Sequence, residues 1–178
     1  MKSIIQIVCV FCSILLVASC GHSLTEKELT ELETRAENGD VEAAIKLKDY
    51  YGSMPLNLSL VDYKELKEIA AHGDMDAKKK VKEYERINDS YDKYLALAAD
   101  NGDPESAISI ALDCQSSFLG GIDVKENKMK YRKYMEIAIA SGKKVDGKET
   151  FIDDYKSLYQ NQSEEWWESD SIKTKEGK

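Results

Sequence analysis

Histidine and proline are scarce in this chain, and cysteine nearly so. Of 178 residues, two are histidine (His22 and His72), two are proline and four are cysteine. Beyond the N-terminal apolar stretch there is no His-x-x-x-His, no Cys-x-x-Cys pair, no phosphate loop and no Gly-x-Ser-x-Gly. Metal, nucleotide and serine-hydrolase chemistry therefore have no motif to start from. Nothing in the spacing brings His72 to Cys114 as a nucleophilic pair. His72 falls at the penultimate place of a predicted helix, where a polar or positive side chain suits the negative end of the dipole. Two prolines, ten glycines and a charged fraction of 33% favour helices over a β-sandwich. Positive charge is also in deficit, 25 Lys and Arg against 33 Asp and Glu, a formal net charge of -8. Such a chain repels nucleic acid and anionic bilayer surfaces, which leaves neutral or basic protein surfaces as partners.

The chain opens with Lys2, then an apolar run from Ile4 to Ala18 broken only by Gln6 and Ser13, then small residues and Cys20. That is the layout of a secretion signal. About fifteen helical residues reach roughly 22 Å, short of the ~30 Å hydrocarbon core, so a permanent spanning helix is the weaker alternative. The residues Val17, Ala18, Ser19 and Cys20 resemble the bacterial lipoprotein box. The resemblance implies cleavage before Cys20 and lipidation of its thiol. A diacylglyceryl cysteine with an added N-acyl group, such as palmitate, carries more than the single chain that gives only marginal binding. In such lipoproteins an aspartate directly after the cysteine favours inner-membrane retention, and here that place is Gly21. The expected location is the periplasmic side of the outer membrane. The alternative is an ordinary cleaved signal that leaves Cys20 as a free thiol.

The expected organisation is a signal peptide over 1–19, a lipidated cysteine and short tether over 20–25, a helical domain over 26–160 and an acidic tail over 161–178. Loss of the signal removes Lys2 and no acidic residue, taking the formal charge from -8 to -9. Cys9 and Cys12 leave with it, so Cys114 stands alone and cannot form an internal disulfide. Burial as a small hydrophobe is the plain reading of Cys114; a reactive thiol or an intermolecular link is the other.

Self-similarity organises the rest. The stretches "ETRAENGDVEAA", "LKEIAAHGDMDA", "LALAADNGDPES" and "MEIAIASGKKVD" align on Gly39, Gly73, Gly102 and Gly142, separated by 34, 29 and 40 residues. Seven places before each glycine stand Leu32, Leu66, Leu95 and Met135; three before, Ala36, Ala70, Ala99 and Ile139. Four places after the first three stand Ala43, Ala77 and Ser106, and eight after, Leu47, Val81 and Ile110. The glycines suit the left-handed residue that ends a helix. Asp40, Asp74 and Asp103 then cap the next helix, with Pro104 at its first turn. Small residues near the turn let paired helices approach, and the large ones fill the space between pairs. Thr25 with Glu28 and Ser59 with Asp62 have capping spacing, and Ser90 precedes a further helical stretch. The pattern predicts helices over 26–38, 41–51, 60–72, 75–87, 91–101, 104–114, 128–141 and 148–160, an all-α array of about four hairpins.

The pattern A-x-x-G-D-x-x-A, together with "FLGGIDVKENKMKYRKYMEIAIASG", resembles the Sel-like repeat, a relative of the tetratricopeptide repeat, over about residues 25–160. The resemblance implies an α-solenoid that binds protein. The last unit departs from it, with Lys143 and Lys144 where the cap aspartate should stand, and reads as a degenerate capping repeat.

Ten tyrosines are expected mainly to pack between hairpins, with some lining a concave binding face. Tyr94 and Tyr134, one place before the core position, are the leading candidates. Trp166 and Trp167 sit among Glu164, Glu165, Glu168 and Asp170; being adjacent on a helix they should not be equally buried, so one is expected as a lid, or the pair as an acidic aromatic segment for a basic partner. Lys78 to Lys80 read as a solvated face. The functional expectation is a membrane-anchored, periplasm-facing lipoprotein that binds another protein, using no metal or other cofactor and touching the membrane only through its lipid. Small acidic periplasmic lipoproteins with such repeats also resemble immunity proteins that neutralise secreted antibacterial effectors such as lipases. An enzyme, for example a cell-wall hydrolase, is the third reading, although the paired cysteines of the repeat members proposed for such work are missing.

Overall fold

A computed structural model describes residues 24–54 and 59–172. Cys20 lies outside the described residues. Within them the chain is helical, with no strand: α1 (Glu26–Glu37), α2 (Val41–Gly52), α3 (Leu60–Ala71), α4 (Met75–Asp100), α5 (Pro104–Leu119), α6 (Val124–Ala140), α7 (Glu149–Asp154) running into a π-helical turn (Tyr155–Tyr159), and α8 (Glu164–Trp167).

The turn chemistry is as the repeated text requires. Gly39, Gly73, Gly102 and Gly142 have φ of +89°, +105°, +95° and +64°. At the third of these the Gly102 N–H donates to the Ala99 carbonyl and the Asp103 N–H to the Ala98 carbonyl, each at 2.9 Å, closing α4. The Asp40, Asp74 and Asp103 carboxylates accept from the N–H groups of Ala43, Ala77 and Ser106, opening α2, α4 and α5. Thr25 with Glu28 and Ser59 with Asp62 form reciprocal capping boxes. The His72 ring caps α3, its Nδ1 donating to the Glu68 carbonyl at 2.7 Å.

Three expected boundaries are corrected. The predicted break at Asn88–Ser90 does not exist: α4 is one helix of 26 residues, with Ser90 in its interior. The local sequence holds no glycine or proline there. Ala77, Val81, Tyr84, Ile87, Tyr91, Tyr94 and Ala98 keep helical spacing straight through it, so packing rewards continuation. Helix α5 also runs beyond 114 to Leu119, because Phe118 extends the stripe Ala107, Ala111 and Cys114 into the core. A short connection with Gly121 and Asp123 at positive φ then starts α6 at Val124 rather than 128. The helix expected over 148–160 widens at Tyr155, where the Gln160 N–H reaches back five residues to the Tyr155 carbonyl at 2.8 Å.

Packing joins each of α1 to α6 to a sequence neighbour, except that α2 and α3 form no substantial pair and both lie on α4. Helices α1 and α2 pair and rest on the C-terminal half of α4; α3 pairs with its N-terminal half; α4, α5 and α6 form consecutive pairs. Buried alanines near the turns (Ala36, Ala43, Ala99, Ala107) permit the close approach. One core centres on Leu47, Tyr51 and Tyr94, another on Phe118, Tyr131 and Met135, and a small third one on Ala70, Ala77 and Val81. The Ser106 hydroxyl, fully buried, donates to Asp103 at 2.5 Å and accepts from Lys48 Nζ at 3.5 Å, tying α2 to the start of α5.

Candidate functional site

Two places carry more than packing. The first is a groove of about 290 Å³ where α4, α5 and α6 meet. Leu95 and Ala96 from α4, and Ile110 and Cys114 from α5, supply its apolar lining; Tyr134, Asn127 and Lys130 come from α6. Asp92 and Asp113 stand on its rim. Lys130 is engaged at 2.7 Å by Glu126, one helical turn away. Among the described residues no cation lies within ion-pair distance of Asp92 or Asp113. Burial, then the negative charges of Asp89 and Asp113, push the Asp92 carboxyl above its ordinary 3.8. The Cys114 thiol is buried and its pKa is raised, chiefly by that burial, so it behaves as an apolar wall residue rather than a thiolate.

The second place is the closure at the C-terminal end. Lys128 is fully buried on α6. Its ammonium donates to the Trp166 carbonyl, to Ser169 Oγ at 3.3 Å and to the Ser171 carbonyl at 3.1 Å, and it lies 4.0 Å from the centre of the Trp166 ring. Every one of these acceptors is supplied by α8 or the segment that follows it. Desolvation lowers the Lys128 pKa, opposed by Asp170. Arg132 joins α8 through Glu164 at 2.8 Å and lies 5.5 Å from the Trp167 ring.

The four predicted contact residues are thus distributed unequally. Tyr94 is only 3% exposed, its ring stacked on Tyr51 at 5.7 Å and 7°, joining α4 to α2. Tyr134, 8% exposed, lines the groove, with Lys133 over its ring at 4.6 Å. Both tryptophans are buried, at 6% and 1%, which corrects the expectation that adjacent residues must differ. A single-turn helix explains it. Helix α8 sits in a corner, so Trp166 meets Tyr159 and Lys128 on one side while Trp167, at 79° to it, meets Arg132 on the other. The indole N–H of Trp167 has no hydrogen-bond partner among the described residues. Sequence reasoning missed Lys128, Asp92 and Asp113: a lysine inside "KENKMKYRK" gives no local sign of burial, and the two aspartates meet only across a pair of helices.

Among the described residues no group of three or more His, Cys, Asp or Glu side chains could hold a metal ion, and no helix is long and apolar enough to cross a membrane. No family model, curated protein or solved structure matches the chain.

Proposed function

We propose that this protein is a lipoprotein, anchored through Cys20 on the periplasmic face of the outer membrane, that acts as a protein-binding module of the Sel-like, α-solenoid type. The observation that carries it is the thrice-repeated turn. Left-handed glycine, capping aspartate and a buried small residue recur at Gly39, Gly73 and Gly102, each glycine N–H donating to the alanine carbonyl three places back and each aspartate capping the N–H three places on. A repeated turn that stacks helix pairs builds extended surface from local contacts, which is the property binding arrays use. The lipobox-like residues before Cys20 support the anchor. Within this reading the partner is a neutral or basic protein, and a secreted antibacterial effector neutralised by an acidic immunity protein is its sharper form, favoured by the net charge of -8. Affinity purification of the tagged full-length chain from its native envelope tests the proposal. One protein recovered in near-stoichiometric amount from the membrane fraction supports it; recovery of none contradicts it.

A further inference from the structure

We infer that the groove between α4, α5 and α6 receives a lysine- or arginine-bearing segment of the partner protein, with the cation held between Asp92 and Asp113 and its neighbouring apolar side chains laid on Leu95 and Ile110. This inference rests on the protein-binding reading and assigns it a surface. Three observations converge on it. The groove is built by three helices whose mutual packing fixes its walls, so it exists before a partner arrives, and preformed surface costs little ordering on binding. Its lining sets Leu95, Ala96, Ile110 and Cys114 beside Ser117, Asn127 and Lys130, and it carries two carboxylates with no cation of the described chain within ion-pair distance, whereas Glu126 and Asp100 nearby are answered by Lys130 and Lys133, each at 2.7 Å. The third observation is the cost of this arrangement. Asp92, on the exposed side of α4, faces like charge from Asp89 and Asp113. A local repulsion of that kind works against folding, and folded chains accept such conflicts where a site requires them. A guanidinium or ammonium placed between them replaces repulsion by attraction to each carboxylate, its single charge offsetting half of the pair's, and its aliphatic stem covers Leu95 and Ile110.

The α3 face with Val61, Ile69 and Met75 exposed is the rival surface. It is apolar and acidic as well, with Glu65, Glu68, Ile69, His72 and Asp74 lining a concavity of about 560 Å³, but only α3 and the start of α4 build it, with no third helix to fix its walls. It therefore supplies the control.

The test uses the purified full-length chain and a fluorescein-labelled peptide, Gly-Ser-Gly-Leu-Arg-Leu-Gly-Ser-Gly, in fluorescence anisotropy at low salt. We expect the double variant Asp92→Asn, Asp113→Asn to bind about tenfold more weakly than the wild type, and a peptide with citrulline for arginine to lose affinity by a similar factor. The control Glu65→Gln, Glu68→Gln removes the same charge from α3 and should bind like the wild type. Equal affinity for wild type and groove variant, or an equal loss in the α3 control, overturns the inference by showing only diffuse attraction. Thermal melts show that each variant is folded. Envelope purification separates the two levels. A partner recovered equally by wild type and groove variant leaves the module reading intact and refutes the groove, whereas no partner with either refutes the module.

Discussion

Replacing Gly102 by alanine isolates the backbone term in the turn that joins α4 to α5. The residue sits at φ +95°, and a Cβ built there meets no atom within 4 Å, so crowding adds nothing. What remains is the cost of holding an L-residue in a left-handed conformation, about 1–2 kcal/mol. Alanine also restricts the unfolded chain, which returns about 0.4–1 kcal/mol. The net expectation is a loss of about 1 kcal/mol, or roughly 2–4 °C in Tm for a chain of this size. Gly39 makes the comparison sharper. Its φ is +89°, but a Cβ there comes within 3.3 Å of Asn101 Oδ1 on the neighbouring turn, so Gly39→Ala should cost as much or more. Circular dichroism melts of the full chain and the two variants, with urea titrations to obtain ΔG, provide the assay. An unchanged or raised Tm for Gly102→Ala would refute the view that the glycine is required by its backbone conformation.

Other consequences are as direct. Cys20→Ser should move the protein from the membrane fraction to the soluble periplasmic fraction on cell fractionation; retention in the membrane would remove the anchor. Trp167→Ala, which empties a buried site between α8 and Arg132, should cost about 3–5 kcal/mol in urea unfolding, and a loss below 1 kcal/mol would show that the C-terminal closure is not part of the cooperative core. Asp40 is held below its ordinary 3.8, first by the Ala43 N–H and then by Arg35. Because the folded value is depressed, its contribution is complete above pH 3.8 and is lost as pH falls through the folded value. Asp40→Asn should accordingly flatten the decline of Tm between about pH 4 and 2, and an unaltered slope would contradict the assignment. Asp92 has the opposite sign: its folded value is raised, so the ionised carboxylate weakens the fold above pH 3.8. Asp92→Asn should leave Tm unchanged or higher at neutral pH, and a clear fall in Tm would contradict the repulsion argued for the groove.

The fold was legible where one residue type does a job no other does as well. Glycine at positive φ and aspartate or serine at a helix start announce themselves locally, so Gly39, Gly73, Gly102, Asp40, Asp74, Asp103, Thr25 and Ser59 are all found in the predicted roles. Legibility failed where tertiary packing decided between permitted local states. Asn88, Asp89 and Ser90 look like a helix break but tolerate a helix, and Tyr91, Tyr94 and Ala98 packing on α2 carries α4 through. The candidate site was less legible still. Tyr134, singled out by its column offset beside the core, lines the groove. Asp92 and Asp113 lie 21 residues apart with ordinary surface neighbours, and only the pairing of α4 with α5 brings them to one rim. Lys128 is hidden for the same reason: its acceptors at Trp166, Ser169 and Ser171 come from the far end of the chain.

The central claim, that this protein works by holding another protein in its inter-helix groove, is tested most directly by photo-crosslinking in living cells. A benzophenone amino acid placed at Ser117, inside the groove, or at Lys80, on the exposed face of α4, reports what each surface touches. A discrete adduct from Ser117 and none from Lys80 is the expected result. The absence of any adduct from Ser117, with the variant correctly folded and membrane-bound, would contradict the account.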